Sequence, residues 1–308
     1  MERSEHFIAL PLVSKGGAVP LAIDVVAKYW GEDLKAPEWQ QQNRISTLID
    51  GIELAEKAGL ACYVCKGSLK DIKKRIDQGV PPIAIMPGIQ DVAQHATIVS
   101  GYDSDERRVL TYVPEPDTVG AIPEPKFEQD WEQDDSTMIL LLPSDMQDLL
   151  KNDRLEFAKS NRLCLEAERL RLQGRMDAAV EKLRQATGAD PENAAAWSQL
   201  GGAYNEQGSD QAVACYERAI RLNPKYYLAY RGLGNYYLKK KDYALAEAHY
   251  TKATSINPSR FGPIYKNRAI ARMQLGNNAG AKQDLETYLA QTPAAADRKS
   301  IEEAISQL

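Results

Sequence analysis

Three hundred and eight residues, 44% hydrophobic and 26% charged, suffice for about two domains. No stretch approaches the ~18 apolar residues of a membrane span; four cysteines are too few for a disulfide scaffold and three histidines leave little for a metal site, so no metal and no cofactor are expected. The formal charge of −5 is uneven: residues 1–145 carry 14 basic against 24 acidic side chains and residues 146–308 carry 24 against 19, so two units are expected and neither has the basic footprint of a nucleic-acid binder.

In chain order, MERSEHFIALPLV has two early acids and no small-residue cleavage site, which does not read as a secretory signal. The expected compartment is cytoplasmic as the sequence stands, or periplasmic or secreted if a signal has been trimmed. Gly16-Gly17 after Lys15 reads as turn chemistry, with a leader-cleavage mimic as the functional alternative. Pro20 to Tyr29 is helical and stopped by Gly31; Ile45 to Lys57 forms a second helix, and Leu69, Ile72 and Ile76 mark a third. Strands are expected at Ala61–Lys66, Ile83–Met86, Ala96–Ser100, Val109–Val113 and Met138–Leu142, with the third and fourth joined as a hairpin across DSDERR. Helices first and an antiparallel sheet after them is an α+β layout. Cys62 and Cys65 form a CxxC within a strand, where a spacing of three puts the thiols on opposite faces and favours a structural role. The run FEQDWEQDD (127–135) reads as a solvated loop, or as a contact for a basic partner or the basic repeats. Residues 146–159 are the expected linker.

Periodicity governs the remainder. Pro191, Pro224, Pro258 and Pro293 stand 33, 34 and 35 residues apart, each ending a unit because proline cannot continue a helical hydrogen-bond ladder. Tyr230, Leu233, Gly234 and Tyr237 form the stripe of one helix, and Ala246, Tyr250 and Ala253 that of a second. Trp197, Leu200, Gly201, Tyr204, Ala212, Tyr216 and Ala219 repeat the pattern before them. Tyr265, Arg268, Ala269, Arg272, Ala281, Leu285 and Tyr288 repeat it after. Leu163, Ala167, Leu170, Gly174, Ala179, Leu183 and Ala186 make a fainter first copy. A small residue at Gly201, Gly234 and Ala269 lets paired helices approach, and no pair buries its apolar face alone. These residues resemble the tetratricopeptide repeat, which implies four copies over 160–293, an all-α solenoid, and a polar capping helix over 294–308.

A second resemblance lies in the N-terminal half. HATIVSGYD, a turn and VLTYVP resemble the histidine hairpin of the double-glycine-leader (bacteriocin-processing) papain-like cysteine peptidases, and AVPLAIDVVAKYWG resembles the helix that carries their cysteine. The resemblance covers nearly all of residues 5–145 and implies an α+β papain-like domain over 1–145 and a bacterial origin. The Cys-Gly-Pro slot falls on Ala18-Val19-Pro20, the histidine on His95, the Asp-Pro slot on Val113-Pro114, and the oxyanion-hole glutamine on Leu12. Alanine cannot attack, valine cannot orient an imidazole, and leucine cannot donate to an oxyanion. The expected domain is therefore a pseudo-peptidase with no catalytic residues, His95 serving as a core or rim histidine or keeping some other role. In related transporters a degenerate domain of this kind holds its substrate without cutting it.

In a stacked array the first helix of each pair lines a groove. Arg231 and Asn235, four apart on one helix, together with Lys266 and its neighbour Asn267 on the next, resemble part of the carboxylate clamp with which some tetratricopeptide repeats hold a peptide C-terminus. Ser198, Gly202 and Ile270 offer no matching charge. Tyr226, Tyr227 and Tyr230 add aromatic surface or core, and Lys239–Lys241 read as a solvated turn. The expected function is a non-catalytic adaptor that recruits a peptide or protein client in bacterial secretion, maturation or assembly; homo-oligomerisation stays open. Two alternatives accompany it: an active cysteine peptidase using Cys62 or Cys65, and a repeat scaffold with a purely structural N-terminal domain.

Overall fold

The structure, a computed structural model, describes residues 7–10, 20–35, 48–87, 94–114, 117–258 and 262–308. It divides into two compact units, one drawn from Met1–Met86, Ala96–Glu132 and Ser136–Asp190, the other from Pro87–His95, Gln133–Asp135 and Pro191–Leu308.

The first unit is built on a six-stranded sheet of β1 (Leu60–Lys66), β2 (Ile83–Pro87), β3 (Gln94–Asp103), β4 (Arg108–Val113), β5 (Thr118–Pro123) and β6 (Thr137–Pro143), in the order β1-β6-β2-β3-β4-β5. The pairings resolved between β1 and β6, β6 and β2, β3 and β4, and β4 and β5 are all antiparallel. The β3–β4 hairpin turns at the expected DSDERR, where Arg107 takes a positive φ of 52°.

Helices cover both faces. On one side α1 (Leu21–Tyr29) and α2 (Leu48–Lys57) bury Ile23, Val26, Ile49 and Ile52 against Val64, Ile98, Ile139 and Leu141. On the other α3 (Leu69–Asp77) and α4 (Glu124–Trp131) bury Ile72, Ile76, Phe127 and Trp131 against Cys65, Val99, Met138 and Leu140. The alternation of β6, Thr-Met-Ile-Leu-Leu-Leu, sends Ile139 and Leu141 to one side and Met138 and Leu140 to the other, as a period of two requires.

Three features depart from the sequence expectations. Helices and strands interleave rather than segregate, since β1 precedes α3 and β6 follows α4. β5 carries no strand signal of its own, because its TVGAIP lies between prolines and contains a glycine. The acidic run 127–135 is no solvated loop: it is the end of α4 and a 3-10 turn over Glu132–Asp134, with Phe127, Trp131, Asp134 and Asp135 all buried. Phe127 and Trp131, four residues apart, anchor it to the sheet.

The unit continues past the sheet. Lys66 N–H donates to the Glu156 carbonyl (2.8 Å), and Asp153 pairs with Lys74 and Arg75. Helix α5 (Ala158–Leu172) then lies on β1 and α2. It buries Leu165 in the α1–α2 core, and its Arg162 and Arg169 pair with Glu56, Asp50 and Glu53 of α2. With α6 (Met176–Ala189) it forms the first helical pair.

The second unit carries the pairs α7–α8 (Ala194–Glu206, Gln211–Leu222), α9–α10 (Tyr227–Lys239, Tyr243–Ile256) and α11–α12 (Gly262–Gln274, Asn278–Gln291), then α13 (Arg298–Gln307). Each second helix ends two residues before its proline, because the residue preceding proline leaves helical space; Asn223, Asn257 and Thr292 take ψ of 95°, 76° and 72°. Asn193, Asp242 and Asn277 cap the opening turns through their side chains. A Cβ at Gly234 would come within 2.5 Å of the Tyr250 ring, and one at Gly232 within 2.2 Å of the Tyr216 ring. The GLG sequence thus admits one tyrosine from the preceding pair and one from its own.

Candidate functional site

Successive first helices α7, α9 and α11 contact one another, so residues on their shared face come from different repeats. Arg231 and Asn235 lie four apart on α9, hence on one face. Asn235 Oδ1 accepts from the Tyr250 hydroxyl at 2.7 Å and from Asn267 Nδ2 of α11 at 3.2 Å. Asn235 is thereby fixed by its own second helix and by the next first helix at once. Burial pushes the Tyr250 hydroxyl above the usual phenol range, and the Arg231 charge opposes the shift. Burial likewise pushes Tyr216 up to about 12, again opposed by Arg231. The Arg231 guanidinium therefore acts on both tyrosines, whose hydroxyls stay protonated donors at neutral pH.

Lys266 sits elsewhere. Its Nζ pairs with Asp297 Oδ2 at 2.9 Å and lies 5.1 Å from the Tyr288 ring centroid. Asp297 also accepts from the Tyr288 hydroxyl (2.7 Å), and these two partners, Tyr288 first, hold its carboxyl below the usual carboxylate range. The structure joins Asn235 to Asn267 and commits Lys266 to the turn before α13. Sequence reasoning missed both the Tyr250 hydroxyl, whose residue reads only as part of a core stripe, and Asp297. Ser198 is buried, and Ile270 is exposed. The lysine run is more engaged than a solvated turn: Lys240 pairs with Asp210 (2.7 Å) and Lys239 donates to the Asn205 carbonyl (3.0 Å).

In the N-terminal half, Ala18, Leu12 and Gly16-Gly17 lie outside the described residues. His95 is the second residue of β3, and its Nδ1 donates to the Pro87 carbonyl at 2.9 Å; Val113 closes β4. Cys62 and Cys65 face opposite cores, as their spacing requires. Burial pushes both thiols up to about 12; Glu56 adds to it at Cys62 and Asp71 at Cys65, while Arg162 and Arg75 oppose. At neutral pH each is a thiol, not the thiolate that a cysteine nucleophile needs.

Comparison with known proteins bears on the repeats. Residues 167–208 match a family model described as TPR repeat, and 203–260 and 233–306 match models described as tetratricopeptide repeat. Residues 167–306 carry tetratricopeptide repeats. The chain is 34% identical over 79 residues to human superkiller complex protein 3, covering 25% of this chain and 5% of that protein. It is 30% identical over 101 residues to RNA polymerase II-associated protein 3 of Xenopus laevis, covering 32% and 15%. The chain thus spans only a small part of the curated relatives it matches. Among solved structures, a thermophilic TPR protein of Thermus thermophilus aligns at 20% identity and TM-score 0.41, over 48% of this chain and 80% of that one. MamA from Desulfovibrio magneticus aligns at 17% and 0.41, over 48% and 92%. No helix among the described residues is long and apolar enough to cross a membrane.

Proposed function

We propose that the protein is a non-catalytic adaptor whose repeats hold the C-terminal end of a peptide or protein client. Arg231, Asn235 and Asn267 are the residues assigned to the client carboxylate: a cation and the side-chain amides of two successive repeats meet there, the chemistry a carboxylate selects. The contact between Asn235 and Asn267 across two repeats is the observation that carries this reading, because it builds one polar face from residues 32 apart. Lys266, held by Asp297, belongs to the clamp only where a client carboxylate displaces Asp297. In the N-terminal unit the same reading takes a papain-like domain that keeps a cleft and has lost turnover. The alanine, valine and leucine in its catalytic slots support this, as do the protonated thiols of Cys62 and Cys65. Recruitment during bacterial secretion, maturation or assembly is the role that follows.

The test is a fluorescence-anisotropy titration of the full chain with a synthetic peptide pool ending in a free carboxylate, and with the same pool amidated. Tighter binding of the free acids is expected, with a loss of at least about tenfold, or ~1.4 kcal/mol, in Arg231→Glu. Equal affinity for acid and amide, or an unaffected Arg231→Glu, would remove the clamp.

A further inference from the structure

The sheet of the first unit has two edges, and the chain treats them differently. β1 is closed: Asn161 Nδ2 donates to the Val64 carbonyl (3.2 Å), Lys66 N–H bonds the Glu156 carbonyl, and α5 packs along the strand. β5 is the opposite edge. It pairs with β4 in unbroken register from Val113↔Thr118 to Arg108↔Pro123, and among the described residues nothing pairs with its outer side. All of its residues but Ile122 are exposed, Val119 at 79%.

Edge strands are ordinarily guarded by lysines, bulges, central prolines or a covering element. Thr-Val-Gly-Ala-Ile-Pro has no lysine, bulge or central proline, and no strand among the described residues pairs with its outer side. Beside it lies a cavity of about 540 Å³ lined by Phe7, Leu10, Leu110, Tyr112, Val119 and Ala121, with no charged side chain in its wall among the described residues. The register sets Val119 opposite Tyr112 and Ala121 opposite Leu110, so these four share one face of the sheet. The Tyr112 hydroxyl is taken up by Asp117 (2.9 Å), and the volume falls within the range of ordinary ligand pockets.

We infer that β5 is a docking edge for an extended, uncharged segment of a partner protein, which adds to the sheet as a further strand and leans its alternate apolar side chains over the cavity. The occupant is extended because the open backbone N–H and C=O groups of an edge are matched only by another strand; a helix has spent its own. It is uncharged because neither the strand nor the cavity wall offers a counter-charge. A second copy of this chain fits less well. Antiparallel pairing of two β5 strands sets the two-fold axis perpendicular to the sheet, and each copy then offers the cavity face only Val119 and Ala121, too short to cross into the cavity. A client carrying leucine or phenylalanine there reaches it. This surface is independent of the Arg231–Asn235–Asn267 face.

The test uses the full chain and a fluorescein-labelled octapeptide alternating leucine and threonine, amidated at its C-terminus so that it carries no carboxylate for the Arg231–Asn235–Asn267 face. Saturable binding is expected, with slowed amide hydrogen exchange over 118–122 and an affinity loss of about tenfold or more in Val119→Lys, where the exposed side chain spares the fold. The same octapeptide N-methylated on the amides of its pairing edge should not bind. Equal binding of the N-methylated peptide, or binding without slowed exchange in β5, would overturn the assignment. So would a chain that sediments as a dimer which Val119→Lys dissociates, since a second copy would then hold the edge.

Discussion

Asp284→Ala is expected to destabilise the last helical pair by about 3–5 kcal/mol, the cost of stripping one partner from a buried ion pair. Asp284 is 2% exposed and Arg268 8%. Arg268 reaches Asp284 through Nε (2.8 Å) and Nη2 (2.6 Å), and its Nη1 donates to Thr254 (2.7 Å). Arg272 adds a third contact to the same carboxylate (2.9 Å) and holds Glu247 (2.8 Å). Removing Asp284 leaves Arg268 buried without its counter-charge. Because each repeat depends on its neighbours, the loss should show first as faster hydrogen exchange in α11, α12 and α13, and then as a lowered Tm. Arg268→Leu/Asp284→Leu, which returns apolar groups to both positions, should recover most of the stability. Wild-type exchange in α11 of Asp284→Ala would contradict this account of the repeat.

Stability should also fall between about pH 4 and pH 8 on account of one carboxyl. Asp134 is 1% exposed. Burial raises it to about 8, Asp135 adds to the shift, and the Gln94 amide, which donates to it, opposes. A folded pKa above the unfolded value favours the protonated form in the folded state. The contribution is complete below the unfolded pKa near 4 and is lost as pH rises through 8. At about 1.4 kcal/mol per unit it amounts to several kcal/mol. Asp134→Asn mimics the protonated acid, so it should match the wild type near pH 3, exceed it in Tm at pH 9, and flatten the profile between. A variant whose pH profile parallels the wild type would refute the assignment.

The repeats were legible because their stripes and terminating prolines recur at a fixed period, and helix ends, tyrosine contacts and small residues fell where that period put them. Arg268 and Arg272 were legible only as members of the last stripe. Their partner Asp284 lies on the other helix of the pair, and nothing local announces it. The face of Arg231 and Asn235 followed from helical spacing, whereas the departure of Lys266 to Asp297 depends on how the chain enters α13, a tertiary fact. In the sheet, Met138–Leu142 and the hairpin around DSDERR were plain from apolar runs and a polar turn. β5 was hidden because an edge strand has little to bury and so little pattern to show. The acidic stretch misled because charge outnumbered the two aromatics that anchor it, and a pair four apart outweighs the charges around it.

Native mass spectrometry of the full chain incubated with a carboxylate-ended peptide tests most directly the claim of holding without cutting. The account predicts a persistent one-to-one complex with peptide of unchanged mass, weakened in Arg231→Glu. Peptide fragments, or a covalent acyl adduct on Cys62 or Cys65, would contradict it.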